Sequence, residues 1–121
     1  MTAPNIVNTT TITAKTDVQI VGTSATAITT NSAASGQAYK INSILVANVD
    51  GTNAADITVD LFRGATPYRL ASTISVPADS TVVVLSKDTA IYLEEGDSIR
   101  CTASATGDLE AVCSYEIITD A

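Results

Sequence analysis

Apolar and polar residues alternate with a period of two along most of the chain. No window of 11 or more residues carries the i, i+3, i+4, i+7 apolar stripe of an amphipathic helix. This pattern restricts the chain to extended strands, because successive side chains on a strand point to opposite faces. Ile57, Val59 and Leu61 share one face while Thr58, Asp60 and Phe62 share the other. Tyr68, Leu70, Ser72, Ile74 and Val76 alternate with Arg69, Ala71, Thr73 and Ser75. Ile91 and Leu93 flank Tyr92, Ile99, Cys101 and Ala103 flank Arg100 and Thr102, and Leu109, Ala111, Cys113, Tyr115 and Ile117 line one face of a last strand. Two segments lose the alternation, residues 41–49 with Ile44-Leu45-Val46-Ala47 in a row, and residues 81–85. Strands covered on both faces read this way, so one side is expected against the domain's own core and the other against a partner subunit.

Turn-forming clusters punctuate these strands at short intervals. They include Gly22-Thr23, Ala34-Ser35-Gly36, Asp50-Gly51-Thr52-Asn53, Arg63-Gly64-Ala65-Thr66-Pro67, Val76-Pro77-Ala78-Asp79, Lys87-Asp88, Glu95-Gly96-Asp97 and Thr106-Gly107-Asp108. Gly and Asn supply the positive φ that tight turns demand, and Pro67 and Pro77 stand at strand boundaries where a missing N–H costs little. About eight short strands spaced in this way predict an all-β fold, an antiparallel β-sandwich of jelly-roll type. At 121 residues, with no internal repeat and no linker, the chain is expected to form one such domain over residues 17–121. Residues 1–16 read differently. The stretch Asn5-Ile6-Val7-Asn8-Thr9-Thr10-Thr11-Ile12-Thr13-Ala14-Lys15-Thr16 is β-prone and nearly uncharged. It is expected to be an extended N-terminal arm, which pairs either as an edge strand in its own sheet or over a neighbouring subunit.

Composition narrows the function. Lys and Arg number 6 against 13 Asp and Glu, a net charge of -7, and the six cations are scattered singly. Nucleic-acid binding, which needs clustered cations, is therefore not expected. The chain has no His, so it lacks the usual proton shuttle near neutral pH and the usual imidazole metal ligand. The longest apolar run, Val82-Val83-Val84-Leu85, is far too short for a helical membrane span, and no membrane partner is expected. The first residues carry neither a basic nor an apolar leader pattern, and folding in a cytosol is expected.

The candidate chemistry is thin. Glu94-Glu95-Gly96-Asp97 and Asp50-Gly51-Thr52-Asn53-Ala54-Ala55-Asp56 hold oxygen ligands, but the second departs from a calcium-loop pattern at Gly51 and Ala54. Both are read as turns, the acidic one as solvated. Ser86-Lys87 lacks the Ser-x-x-Lys spacing of a nucleophile pair. Cys101 and Cys113 form no C-x-x-C motif. Placed either side of a turn at Gly107, they allow a cross-strand disulfide or, in a reducing compartment, act as two small buried hydrophobes. No catalytic residue, cofactor or metal site is assigned. The aromatics Phe62, Tyr68 and Tyr92 are expected to be exposed, as interface residues or as platforms for a sugar ring. The interface candidates are thus Ile6, Val7 and Ile12 in the arm, Ile44, Val46, Val83 and Leu85 in the two-sided strands, and the aromatics Phe62, Tyr68 and Tyr92.

Three blocks carry a resemblance. They are Asn48-Val49-Asp50-Gly51-Thr52-Asn53-Ala54-Ala55-Asp56-Ile57-Thr58-Val59-Asp60-Leu61, Ser72-Thr73-Ile74-Ser75-Val76-Pro77-Ala78-Asp79-Ser80-Thr81, and Ile91-Tyr92-Leu93-Glu94-Glu95-Gly96-Asp97-Ser98-Ile99 with the closing Val112-Cys113-Ser114-Tyr115-Glu116-Ile117. Together, over residues 17–118, they resemble small virion-associated structural proteins of tailed bacteriophages, of the marine and cyanobacterial type. The resemblance implies a virion component, made and folded in the host cytoplasm, with capsid or neck and tail subunits as partners. It supplies no catalytic residue. A homo-oligomer is expected, since a small subunit gains avidity from repeated contacts. The leading expectation is a capsid decoration or cement protein held by the arm and a sheet face. The alternatives are a collar or tail-completion ring and a host-glycan-binding module.

Overall fold

The structure, a computed structural model, describes residues 4–120. The first three residues of the expected arm, and Ala121, lie outside the described residues. Nine strands are present among the described residues: β1 (Thr9–Ile20), β2 (Thr26–Thr30), β3 (Gln37–Asn48), β4 (Ala55–Arg63), β5 (Thr66–Val76), β6 (Thr81–Leu85), β7 (Ile91–Leu93), β8 (Ser98–Ala103) and β9 (Leu109–Asp120). All pairings are antiparallel. One sheet runs β1-β9-β3-β6, with β7 also on β3, and the second runs β2-β8-β4-β5.

The pairings are nested: β1 with β9, β2 with β8, β3 with β6 and β7, β4 with β5. A chain folded back on itself and then wrapped into two layers gives this order, which is the jelly-roll arrangement. The strand count of nine against about eight expected has a local cause. β6 pairs with Ile44 to Ala47 and β7 with Tyr39 to Ile41, so both lie along one side of β3. A 3-10 turn at Lys87–Thr89, closed by Thr89 Oγ1 donating to the Ser86 carbonyl at 3.1 Å, breaks what is otherwise one strand. The β4–β5 turn follows from its residues too. Gly64 and Ala65 have φ of 57° and 63°, the double positive φ of a two-residue hairpin that keeps the strand twist right-handed.

The core lies between the sheets. Ile41, Ile44, Val46, Ala111, Cys113 and Tyr115 of the first sheet meet Ile57, Val59, Ile99, Cys101 and Ala103 of the second. Each fully buried branched side chain contributes about 1.5–3 kcal/mol, and the alternation read from the sequence decides which ones do. Two expectations change here. Ile44, Val46 and Leu85 are core residues at 0%, 0% and 6% exposure, so they are not interface residues. A bulge at 41–43 of β3 resets its alternation so that Ile44 and Val46 turn inward, and an extra residue of β6, Val84, lets Leu85 face inward beside Ile44 while Val83 faces out. The two cysteines do not face each other across a hairpin. β8 and β9 belong to different sheets, and the chain crosses between layers at the Gly107 segment, leaving both thiols free and buried.

The N-terminal boundary also moves. β1 pairs with β9 from Thr9 to Ile20, so residues 9–16 are an edge strand of the domain's own sheet, one of the two arrangements expected for them. Among the described residues only 4–8 precede it, tightened by Val7 N–H donating to Asn5 Oδ1 at 3.0 Å and Asn8 N–H to the Asn5 carbonyl at 3.1 Å. Trimming the chain through residue 16 therefore removes most of β1 and uncovers β9.

Candidate functional site

The outer face of the first sheet gathers apolar side chains. Val18 on β1 stands opposite Val112 on β9, Val112 opposite Leu45 on β3, and Leu45 opposite Val83 on β6, a line of four hydrophobes across four strands. Val18 is 74% and Val83 58% exposed, and Ile20, at the next outward position of β1, is 69% exposed. A shallow groove of about 360 Å³ runs here, lined by Val18, Gln19, Ile20, Glu110, Ala111 and Val112. Toward the other end of the same face come Thr16 and Ser114, then Ala14, Glu116, Lys40 and Tyr92, then Ile12 and Ile118. One exposed Leu or Val is unremarkable on a protein surface; a line of them across a sheet makes this face the candidate surface.

Of the interface candidates, Ile12, Val83 and Tyr92 lie on this face, Ile12 and Val83 on its opposite edges, while Ile6 and Val7 are exposed in the turn that leads into β1. Phe62 and Tyr68 lie in the other sheet, on β4 and β5. Phe62 is half-buried beneath the Arg100 guanidinium, whose carbon sits 4.2 Å from the ring centroid. The three aromatics therefore do not form one flat platform. Val18, Ile20, Leu45 and Val112 were missed by sequence reasoning. For Val18 and Ile20 the signal was the alternation at even positions of residues 12–20, cut by the boundary drawn after residue 16; nothing local marked Leu45 and Val112 as sharing that face.

The polar side chains serve the frame. Buried Asn31 donates through Nδ2 to the Gln37 and Leu93 carbonyls at 2.9 and 3.0 Å and accepts from Ser35 Oγ at 2.6 Å, closing one end of the sandwich. Buried Asn48 closes the other, donating to the Asn53 and Val76 carbonyls at 3.0 and 2.9 Å while accepting the Asp50 N–H at 2.9 Å. The acidic turn is not wholly solvated. Asp97 has a side chain only 3% exposed, held by Arg63 Nε and Nη2 at 2.9 and 2.6 Å and by the Glu94 N–H at 2.8 Å. That pairing raises the Arg63 pKa, chiefly through the Asp97 hydrogen bond. In the other loop the Thr52 and Asn53 N–H groups hold the Asp50 carboxyl below its usual range. Among the described residues, no group of three or more His, Cys, Asp or Glu converges to hold a metal ion.

Burial pushes the Cys101 thiol up to about 12, with neighbouring Cys113 adding to it, and the Cys113 thiol up to about 11 against a hydrogen bond from Thr29. Tyr115 rises too, first by burial and then because its hydroxyl donates to Asp17 Oδ2 at 2.9 Å. All three groups keep their protons in the folded chain at pH values where the unfolded chain has lost them. Their contribution is complete below the ordinary values of about 8.5 to 10 and is lost as pH climbs toward the folded values. Unfolding free energy is expected to fall above about pH 9 by about 1.4 kcal/mol per pH unit per group. Urea midpoints followed by circular dichroism from pH 8 to 11 check this, and a flat profile contradicts it.

No family model matches the chain, and no curated protein does. Among solved structures it is similar to a chain of the Bacillus endospore appendages, a novel family of disulfide-linked pili. The identity is 15%, the match covers 100% of this chain and 98% of that one, and the TM-score is 0.57. At that identity the likeness is one of fold.

Proposed function

We propose that the chain is a non-catalytic structural subunit of a multi-copy particle, a decoration protein of a phage capsid, docked on a shell subunit through the outer face of its first sheet. The observation that carries this is the line Val18–Val112–Leu45–Val83, apolar and open to solvent on a subunit of net charge -7. An acidic surface keeps free copies soluble and away from nucleic acid, while an apolar strip supplies the contact. The resemblance of residues 17–118 to virion proteins supports the location, and the shared fold with a pilus subunit supports a building-block role. The contacts proposed here are noncovalent, because both thiols are 0% exposed and out of reach of a neighbour. A collar or tail ring is the second location for the same surface, separated from the first by copy number.

The test uses the full chain and purified virions. An electron-microscopy map and the number of copies per particle place the protein, with hundreds expected for decoration and tens or fewer for a neck ring. Val83→Asp puts a charge at the far end of the apolar line from β1 and is expected to weaken retention on particles at least tenfold without unfolding the domain. Retention unchanged in Val83→Asp moves the docking surface elsewhere. Absence of the wild-type chain from particles overturns the reading.

A further inference from the structure

We infer that two copies of the chain join edge to edge through β1, antiparallel about Thr16, so that the two first sheets become one continuous sheet. The four sheet edges differ in their fitness for this. β2 has five residues and a bulge, β5 carries Pro67 and a positive φ of 52° at Thr73, and β6 and β7 are broken by the turn at Lys87–Thr89. β1 is a 12-residue edge with neither Pro nor Gly, and its register with β9 is regular from Thr11 to Ile20. A long regular edge offers unpaired N–H and C=O groups to another strand.

The residues of β1 specify a second copy as that strand. Pairing about Thr16 sets residue i opposite residue 32 − i. It brings Ile12 opposite Ile20 of the second copy, Ala14 opposite Val18, and Lys15 opposite Asp17, each pair occurring twice by symmetry. Lys15 and Asp17 are the only charges on the strand, and opposite charges meet only in registers that bring these two together. Lys15 is exposed and makes no ion pair among the described residues, although inward-side charges on an edge normally discourage pairing. Asp17 takes its hydrogen bonds from Thr29 and Tyr115 through Oδ2, at 3.0 and 2.9 Å, which leaves Oδ1 to face a cation. Since i and 32 − i have the same parity, every residue keeps its face. The apolar lines of the two copies then meet across the two-fold axis through Ile12, Ala14, Val18 and Ile20. Such a contact closes on itself and cannot propagate. It stands apart from the docking surface proposed above, which remains available on both copies.

Single-cysteine variants of the full chain test the register. Antiparallel pairs place Cα atoms about 4.5–5.5 Å apart, within disulfide reach. Thr16→Cys is expected to give a covalent dimer with oxidised glutathione, which leaves as two reduced thiols. Ala14→Cys, offset from its own copy by four positions, is expected to stay monomeric on a non-reducing gel, whereas a mixture of Ala14→Cys with Val18→Cys cross-links. Buried Cys101 and Cys113 are silent in the folded chain, and denaturing it in excess alkylating agent blocks them as they become exposed. By light scattering the wild type is a dimer; Lys15→Glu weakens it roughly tenfold, since two opposed pairs become like pairs. Lys87→Glu makes the same charge change away from the edge and leaves the dimer intact. A wild type that stays monomeric at every concentration, equal cross-linking at positions 14 and 16, or no cross-link at 16 overturns the pairing. A monomer that still loads onto particles removes the edge pairing alone, and a dimer that loads onto none removes the particle reading alone.

Discussion

Ile44→Ala is expected to lower the unfolding free energy by about 2–5 kcal/mol, the range for deleting a fully buried branched side chain. Ile44 is 0% exposed on the central strand β3, opposite Cys113 on one side and Leu85 on the other. Its neighbours belong to three strands of a sheet that the facing sheet covers, so the walls cannot all close on the space left behind, and the cavity adds to the lost transfer free energy. Val83→Ala, on the neighbouring strand but 58% exposed, is expected to change stability by less than about 0.5 kcal/mol. Urea denaturation followed by far-ultraviolet circular dichroism measures both, which suits a chain without tryptophan. A stable Ile44→Ala variant that had lost only association would return this position to the interface.

Asp97→Ala is expected to cost about 2–4 kcal/mol, because the buried carboxylate is the hub of one end of the sandwich. Its two oxygens receive Arg63 in a fork and the Glu94 N–H, while its backbone carbonyl accepts the Asn31 N–H at 2.9 Å. Removing it leaves the Glu94 N–H without its acceptor. The partly exposed Arg63 turns to water, which limits the loss. Glu94→Ala removes the other carboxylate on Arg63, one with a 61% exposed side chain, and is expected to change stability by less than about 0.5 kcal/mol. Equal effects from the two substitutions would show that burial of Asp97 contributes nothing.

Those two sites show how far one-dimensional pattern carries. Alternation places Ile57, Val59, Ile99 and Cys113 in the core, because a strand's side chains must take opposite sides whatever it pairs with. The same rule is strained at Ile44-Leu45-Val46-Ala47, where a run of hydrophobes is compatible with burial on either side, and only the bulge of β3 at 41–43 decides which residues face in. Asp97 and Asn31 were illegible as buried groups, since their partners Arg63, Leu93 and Gln37 come from separate strands and from loops that meet only after the sheets stack.

The candidate surface divides likewise. Exposure of Tyr92 was readable from parity, and Ile12 and Val83 were candidates from the arm and from a strand apolar on both faces, whereas the line through Val18, Val112, Leu45 and Val83 spans β1, β9, β3 and β6, which are distant in the chain. No local signal relates residue 18 to residue 112.

By itself the sequence determined the class of fold, since period-two alternation and frequent Gly, Pro and Asp turns admit only short antiparallel strands. It also determined the self-complementary spacing of Lys15 and Asp17 about Thr16. The tertiary structure alone decided that β1 is an edge of its own sheet, that the cysteines face each other's layers without sharing a hairpin, and that the hydrophobes left outside align into a strip. The physical reason is that alternation is local and sets which way a side chain points. Which strands become neighbours depends on the nested pairing of the whole chain, paid for by burial between the two sheets.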